Sequence, residues 1–229
     1  LNGLLLDYGW RRVGSVEGLT VLRALTLSGI LLFGGALYFV ARASRLGVHF
    51  AIAIACGAVL LPAFQVYVAW AQHFTTPYAG LLAVLGGALL MPSSRLYARS
   101  RVAAFVAATF LLVISILIYQ PIAMVFSAVI LMSMITAESS DEWRWGGERI
   151  IAAIGAIGAA MAIGFLVFKL ARQGSVDNSA RYGLVTDFSG KLTWFFSDPF
   201  PHAFSLFDLQ GASAGIVISI VLVGLLAFW

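Results

Sequence analysis

Apolar residues run through this sequence in long blocks rather than in the spaced stripes of a water-facing helix. Seven blocks stand out, at about 20–41, 48–72, 76–92, 102–119, 121–137, 150–170 and 212–229. A helix needs roughly 20 mainly apolar residues to cross a bilayer, so blocks of this length read as membrane spans. Proline punctuates three of them. Pro62 divides the second, which is then one kinked helix or a shorter helix followed by a tilted interfacial segment. Pro92 closes the third. Pro121 stands where the first turn of a helix tolerates a missing N–H. Tyr119-Gln120-Pro121 therefore reads as a tight turn between two antiparallel spans, with a single broken helix as the alternative. The pattern predicts an all-α, polytopic transmembrane helix bundle of about seven spans. Residues 1–229 form a single transmembrane domain, and one long outer loop at 171–211 carries a short interfacial helix.

Composition narrows the class further. The chain has 229 residues, 61% of them hydrophobic and 10% charged, against about 25% charged in an ordinary soluble domain. So few charges cannot cover a water-soluble globule of this size. A soluble enzyme, a disordered chain and a disulfide scaffold are all excluded, the last because Cys56 is the only cysteine. The net charge of +4 suits basic loops and does not point to nucleic acid. Leu1 at the start, and Trp229 closing an apolar run, suggest a piece of a longer chain.

The basic residues orient the bundle. Arg42 and Arg45 follow the first span, Arg95, Arg99 and Arg101 follow the third, and Arg144 and Arg149 precede the sixth. The intervening connections, Gln72 to Thr76 and Tyr119 to Gln120, hold no Lys or Arg. The positive-inside rule then puts 42–47, 93–101 and 138–149 in the cytoplasm, and the N-terminal segment and 171–211 outside. The small residues of 154–160 lie inside the sixth span, where they let helices approach closely. No Lys-Ser/Thr follows them, so they are not a phosphate loop.

Candidate chemistry gathers on the outer side. The segment 171–211 mixes Arg181, Lys191 and His202 with a dense aromatic run that includes Trp194. Residues 190–197 read as a short helix on the membrane surface, ended by Asp198-Pro199. Its plain role is an aromatic anchor at headgroup depth. Its sharper role is a lid over an anionic lipid-borne substrate, with Arg181 best suited to hold phosphate in a bidentate way. The N-terminal segment offers Asp7 beside Arg11 and Arg12, and Arg23 lies near the outer mouth of the first span. Gln65, Trp70 and His73 lie toward the outer end of the second span, with Tyr119 and Gln120 on the neighbouring turn. Gln120 is expected to meet the backbone carbonyl that Pro121 frees. His49, His73 and His202 have no metal-ligand spacing, and no Ser/His/Asp arrangement is present. Neither a metal nor a cofactor is expected. Every Asp and Glu falls outside the apolar blocks, which disfavours an ion-coupled pump.

The stretch Leu111-Leu-Val-Ile-Ser115-Ile-Leu-Ile-Tyr119-Gln120-Pro-Ile resembles the apolar-run-then-Tyr-Gln motif of bacterial membrane glucosyltransferases of the O-antigen-modifying type (glucosyl transferase family II). Leu61-Pro62-Ala-Phe64 with Val68-Ala-Trp70 resembles that family's Pro-containing outer loop, and 191–207 its outer helix. The resemblance implies a polyprenyl-phosphate-sugar-dependent hexosyltransferase of the bacterial inner membrane. It would move a sugar, glucose by analogy, from a polyprenyl-phosphate donor to a cell-surface glycan acceptor such as a lipopolysaccharide O-antigen. The family usually carries acidic residues in its first outer loop. Here Asp7 is the loose match, or the base lies upstream of residue 1. A carboxylate would deprotonate the acceptor hydroxyl while cationic side chains hold the leaving phosphate. The alternatives are a polysaccharide polymerase and a non-catalytic carrier or flippase-type subunit.

Overall fold

The computed structural model describes residues 2–60, 68, 73–135, 140–171 and 187–197. Every regular element among them is a helix. They are α1 (Asn2–Val13), α2 (Val16–Ala43), α3 (Val48–Leu60), α4 (Thr76–Leu89), α5 (Arg95–Arg99), α6 (Arg101–Ala123), α7 (Val125–Ile135), α8 (Ser140–Ala171) and α9 (Phe188–Ser197). The chain divides into a unit of residues 1–174, which holds α1 to α8, and a unit of 175–229, which holds α9.

Local signals account for the helix ends. Ser15 is extended and its hydroxyl accepts from the Gly18 N–H at 3.0 Å, capping α2. Ser100 caps α6 in the same way, accepting from the Ala103 N–H at 3.2 Å. At the far end of α2, Arg45 takes the left-handed conformation (φ 63°). The Leu46 N–H then reaches back to the Ala41 carbonyl at 3.1 Å, closing the helix with a Schellman-type turn.

Helix α4 is the centre of the bundle. It packs on α2, α6 and α7, and it does so through small residues. A methyl on Gly86 would sit 3.2 Å from the Ala108 carbonyl of α6, and one on Gly87 would sit 2.8 Å from the Val129 side chain of α7. Ser115 of α6 is fully buried and donates to the Ala79 carbonyl of α4 at 2.8 Å. On the other flank the Tyr78 hydroxyl donates to the Leu25 carbonyl at 2.9 Å and lies 2.7 Å from Ser28, tying α4 to α2. Gly155 and Gly164 of α8 face Phe105 and Ile116 of α6 in the same order along both helices, so α8 runs parallel to α6. Ile122, Phe126 and Val129 meet Gly80, Gly86 and Gly87 in sequence, so α7 runs alongside α4 and against α6. The chain therefore reverses at 119–124, as the Tyr-Gln-Pro turn implied. Tyr119 is extended at that point (φ −157°, ψ 99°), and one helical turn follows before α7 begins.

Large apolar side chains cover the outside. Leu31, Phe39, Val102, Phe110, Leu131 and Ile151 are each more than half exposed. An apolar surface this continuous is untenable in water and fits lipid. Three described helices are long and apolar enough to cross a membrane: Val16–Ala43, Arg101–Ala123 and Gly146–Val167.

The structure corrects several bounds. Of the block at 48–72, Val48–Leu60 is helical, and most of 61–72 lies outside the described residues. The block at 76–92 gives 14 helical residues, against the ~20 of a full span, and that at 121–137 is helical over Val125–Ile135 as far as it is described. Among the described residues, three helices are long and apolar enough to span and three more are apolar but shorter. The stretch 138–149, read as a loop from its charges, is helical from Ser140 onward. Residues 95–99 form a helical turn within the 93–101 loop, and the N-terminal segment is the helix α1. The block at 212–229 lies outside the described residues.

Candidate functional site

The bundle has two distinct ends. Arg42, Arg45, Arg95, Arg99, Arg101 and Arg149 lie at one. The Arg101 guanidinium pairs with Glu148 of α8 at 3.0 Å, across α6 and α8. Val40 and Ala43 of α2 share a wall with Met91, Ser93 and Ser94. The three basic stretches therefore meet at the same end, as the charge bias of the loops requires.

The opposite end holds the sequence-derived candidates that the structure describes. Helix α1 lies against the start of α2 and the end of α6. The turn between α1 and α2 is tight because Gly18 has no side chain, and a Cβ there would run into the Arg12 carbonyl. The Tyr8 ring stands 6.1 Å from the Phe74 ring, next in sequence to His73. Leu22 and Phe74 form a small core, with Val13, Leu19 and Leu25 packed around it. Leu5 and Tyr119 both pack on the main core formed by α2, α4, α6 and α7. The fold thus brings Asp7, Arg11 and Arg12 of α1, half-buried His73, and Tyr119-Gln120 to one end of the molecule.

The charges of α1 are arranged along its exposed face. Asp7 accepts from the Arg11 Nε at 2.9 Å, one helical turn on. The Arg12 guanidinium lies 4.9 Å above the Tyr8 ring, a geometry in which a cation gains from the ring quadrupole. Both guanidinium groups sit in the last turn of α1, where they also offset its dipole. Arg23 is exposed on α2, about two turns in from its start. Gln120 is exposed, and no described residue accepts from or donates to its amide, so the expected bond to a freed carbonyl is not formed. Among the described residues, no cluster of three or more His, Cys, Asp or Glu could hold a metal ion.

Lys191 and Trp194 belong to α9, in the second unit. The Lys191 ammonium lies 4.4 Å over the Trp194 ring, at helical i, i+3 spacing. Asp187 caps α9, accepting from the Gly190 N–H at 2.8 Å and the Ser189 hydroxyl at 3.0 Å. These two bonds, the backbone one foremost, hold its carboxyl below the usual carboxylate range. Gln65, Trp70, Arg181 and His202 lie outside the described residues.

Arg149, which the sequence offered only as an orienting charge, is a buried polar group. Arg149 is 6% exposed, the only buried charged side chain among the described residues, and its Nε has no hydrogen-bond partner. It heads the face of α8 that continues through buried Ala153, Ala156 and Ala160. That spacing of four, then three, then four was present in the sequence, but the charges around it read as a loop. Comparisons with family models, curated proteins and solved structures find no match.

Proposed function

We propose that this is an integral membrane protein acting at its α1 end on a phosphate-bearing, lipid-linked substrate, and that the reaction is transfer of a sugar from a polyprenyl-phosphate donor to a glycan acceptor. The observation that carries the reading is the convergence of a carboxylate and two guanidinium groups on α1 with His73 and the Tyr119-Gln120 turn. These are the functional groups that such a transfer needs. Asp7 takes the proton from the acceptor hydroxyl as it attacks the anomeric carbon. The bond from that carbon to the phosphate oxygen breaks, and the polyprenyl phosphate leaves with the electron pair. Arg11 and Arg12 stabilise its charge, each guanidinium offering a planar set of donors to phosphate oxygens. Tyr119 and Gln120 form the wall of the site. Described carboxylates are exposed rather than buried in the bundle, an arrangement that suits surface chemistry better than proton-coupled transport.

The test is sugar transfer in proteoliposomes, from radiolabelled polyprenyl-phosphate glucose to an O-antigen acceptor, using the full-length protein. Wild type should transfer label. Asp7→Asn, which keeps the shape and the contact to Arg11, should lower the rate by about 10²–10⁴, the usual range for loss of a general base. Full activity in Asp7→Asn would remove that residue from the mechanism. Absence of transfer by wild type from any polyprenyl-phosphate hexose would overturn the reading as a whole.

A further inference from the structure

A second feature lies at the other end of the bundle and is independent of the reaction assigned above. Helices α2 and α4 are held together near the α1 end by the Tyr78 contacts and by Phe33 against Gly80. Along one side of this pair runs an open groove of about 750 Å³, within the size range of small-molecule sites (roughly 300–1,000 Å³). Its walls are apolar for most of their length, with Leu32, Gly35 and Phe39 on α2 and Leu85 and Leu89 on α4. Polar atoms enter only at the arginine-rich end, through Ser93 and Ser94.

The dimensions match one lipid chain. The lining positions on α2 run from Leu31 to Ala43, a rise of ~18 Å at 1.5 Å per residue. That is close to the depth of a single leaflet, half of a ~30 Å hydrocarbon core. The charge flanking the mouth among the described residues is positive. Arg42 follows the lining residue Phe39 by one turn, and Arg95 follows Ser94 directly. The Arg42 guanidinium spends one donor on the Leu46 carbonyl at 2.6 Å and keeps its others. Arg95 is exposed and has no ion pair among the described residues, and Arg99 lies one turn further on. Glu148 at this end is committed to Arg101 on the far side of α6.

We propose that the groove between α2 and α4 seats one acyl chain of an anionic phospholipid, with the lipid phosphate held between Arg42 and Arg95. The apolar walls replace neighbouring lipid tails, and the arginines at the mouth select for negative charge. Basic pockets between membrane helices hold anionic headgroups by the same physics. A neutral phospholipid could lend its chain to the groove but would gain nothing from the arginines beyond its own phosphate.

Gly35 provides a clean probe. A Cβ at Gly35 meets nothing within 4 Å, so a side chain there grows into the groove without displacing protein. Gly158 on α8 is equally open and does not line the groove, so Gly158→Phe serves as the control. The full-length protein would be purified in detergent and exposed to phosphatidylglycerol or phosphatidylcholine. Retained lipids would then be counted by native mass spectrometry. Wild type and Gly158→Phe should retain one phosphatidylglycerol about thirtyfold more strongly than phosphatidylcholine, from two arginines at the mouth. Gly35→Phe should lose that lipid. Arg42→Gln with Arg95→Gln should keep a bound lipid but lose the preference for charge. Equal retention of the two lipids by wild type, undiminished retention in Gly35→Phe, or an unchanged preference in the arginine double variant would each overturn the proposal.

Discussion

The two ends of the bundle are built from the same residue types and use them differently. At the α1 end the charges are paired or stacked within their own helix: Asp7 with Arg11, and Arg12 over Tyr8. At the other end the arginines come from four helices (α2, α5, α6 and α8) and the loop after α2, and Arg101 pairs with Glu148 across two of them. Charge placed on one exposed helix is locally balanced and adds little to stability, since such pairs contribute about 0–1 kcal/mol. Basic side chains converging from several elements make a field, and a field at a membrane surface draws anionic headgroups. One end is thus arranged around particular side chains, while the other is a rim whose sign matters more than any one residue.

Labelling breaks or sharpens this comparison most strongly, because its outcome is all or none. Ala98 is exposed at the arginine-rich end and Gly14 is exposed between α1 and α2. In a Cys56→Ala background, Gly14→Cys should react with a membrane-impermeant maleimide added to intact cells. Ala98→Cys should react only after the membrane is opened. Labelling of both from one side would place the two ends on the same face of the membrane and dissolve the comparison.

The next largest effect concerns Arg149, buried at the arginine-rich end with an unsatisfied Nε. A buried charge lacking a partner is destabilising, and replacing one by an apolar residue of similar volume stabilises by about 1–4 kcal/mol. Arg149→Met should therefore raise the thermal midpoint of the detergent-solubilised protein. A lowered midpoint would show that an anion neutralises Arg149 in the folded state.

At the α1 end the sensitive position is Gly18. Any side chain there meets the Arg12 carbonyl, so α1 must shift. Gly18→Ala should cost about 1–3 kcal/mol, as overpacking typically does. It should also detach Tyr8 from Phe74, which a Tyr8 fluorine label would report. The control is Gly14→Ala, which meets nothing and should leave both signals alone.

The smallest effect is a pH dependence in α9. The folded Asp187 carboxyl titrates below its unfolded value because of the Gly190 and Ser189 bonds. A depressed carboxylate contributes stability that is full above the unfolded value and disappears as pH falls through the folded one. The amide protection of 188–190 should accordingly fade below about pH 4, and Asp187→Asn should make it insensitive to pH in that range.

How much of this could be read from the sequence depended on whether the signal was local. The reversal at 119–124 was legible because Tyr119-Gln120-Pro121 interrupts an apolar run with groups that cannot continue it. The α1 helix was missed because charges at positions 7, 11 and 12 read as a solvated segment. Only after the helix is known does the four-residue interval between Asp7 and Arg11 become an ion pair. The first turns of α8 were hidden for the same reason. Non-local features left no trace in spacing: that α4 is central depends on Gly80, Gly86 and Gly87 meeting side chains more than thirty residues away.

The enclosure of α4 has a consequence for how the protein is made. A helix of 14 residues rises only ~21 Å, and its Gly and Ala positions face other helices rather than lipid. On leaving the ribosome it has neither the length nor the greasy perimeter to partition into the bilayer alone. Its best partners, α6 and α7, are synthesised afterwards. The nascent segment thus has only α2 to pack on until α6 emerges, and its burial is completed then. A chain stalled just beyond Leu90 should leave α4 open to the aqueous channel, whereas one stalled beyond Ile135 should have it sealed within the bundle.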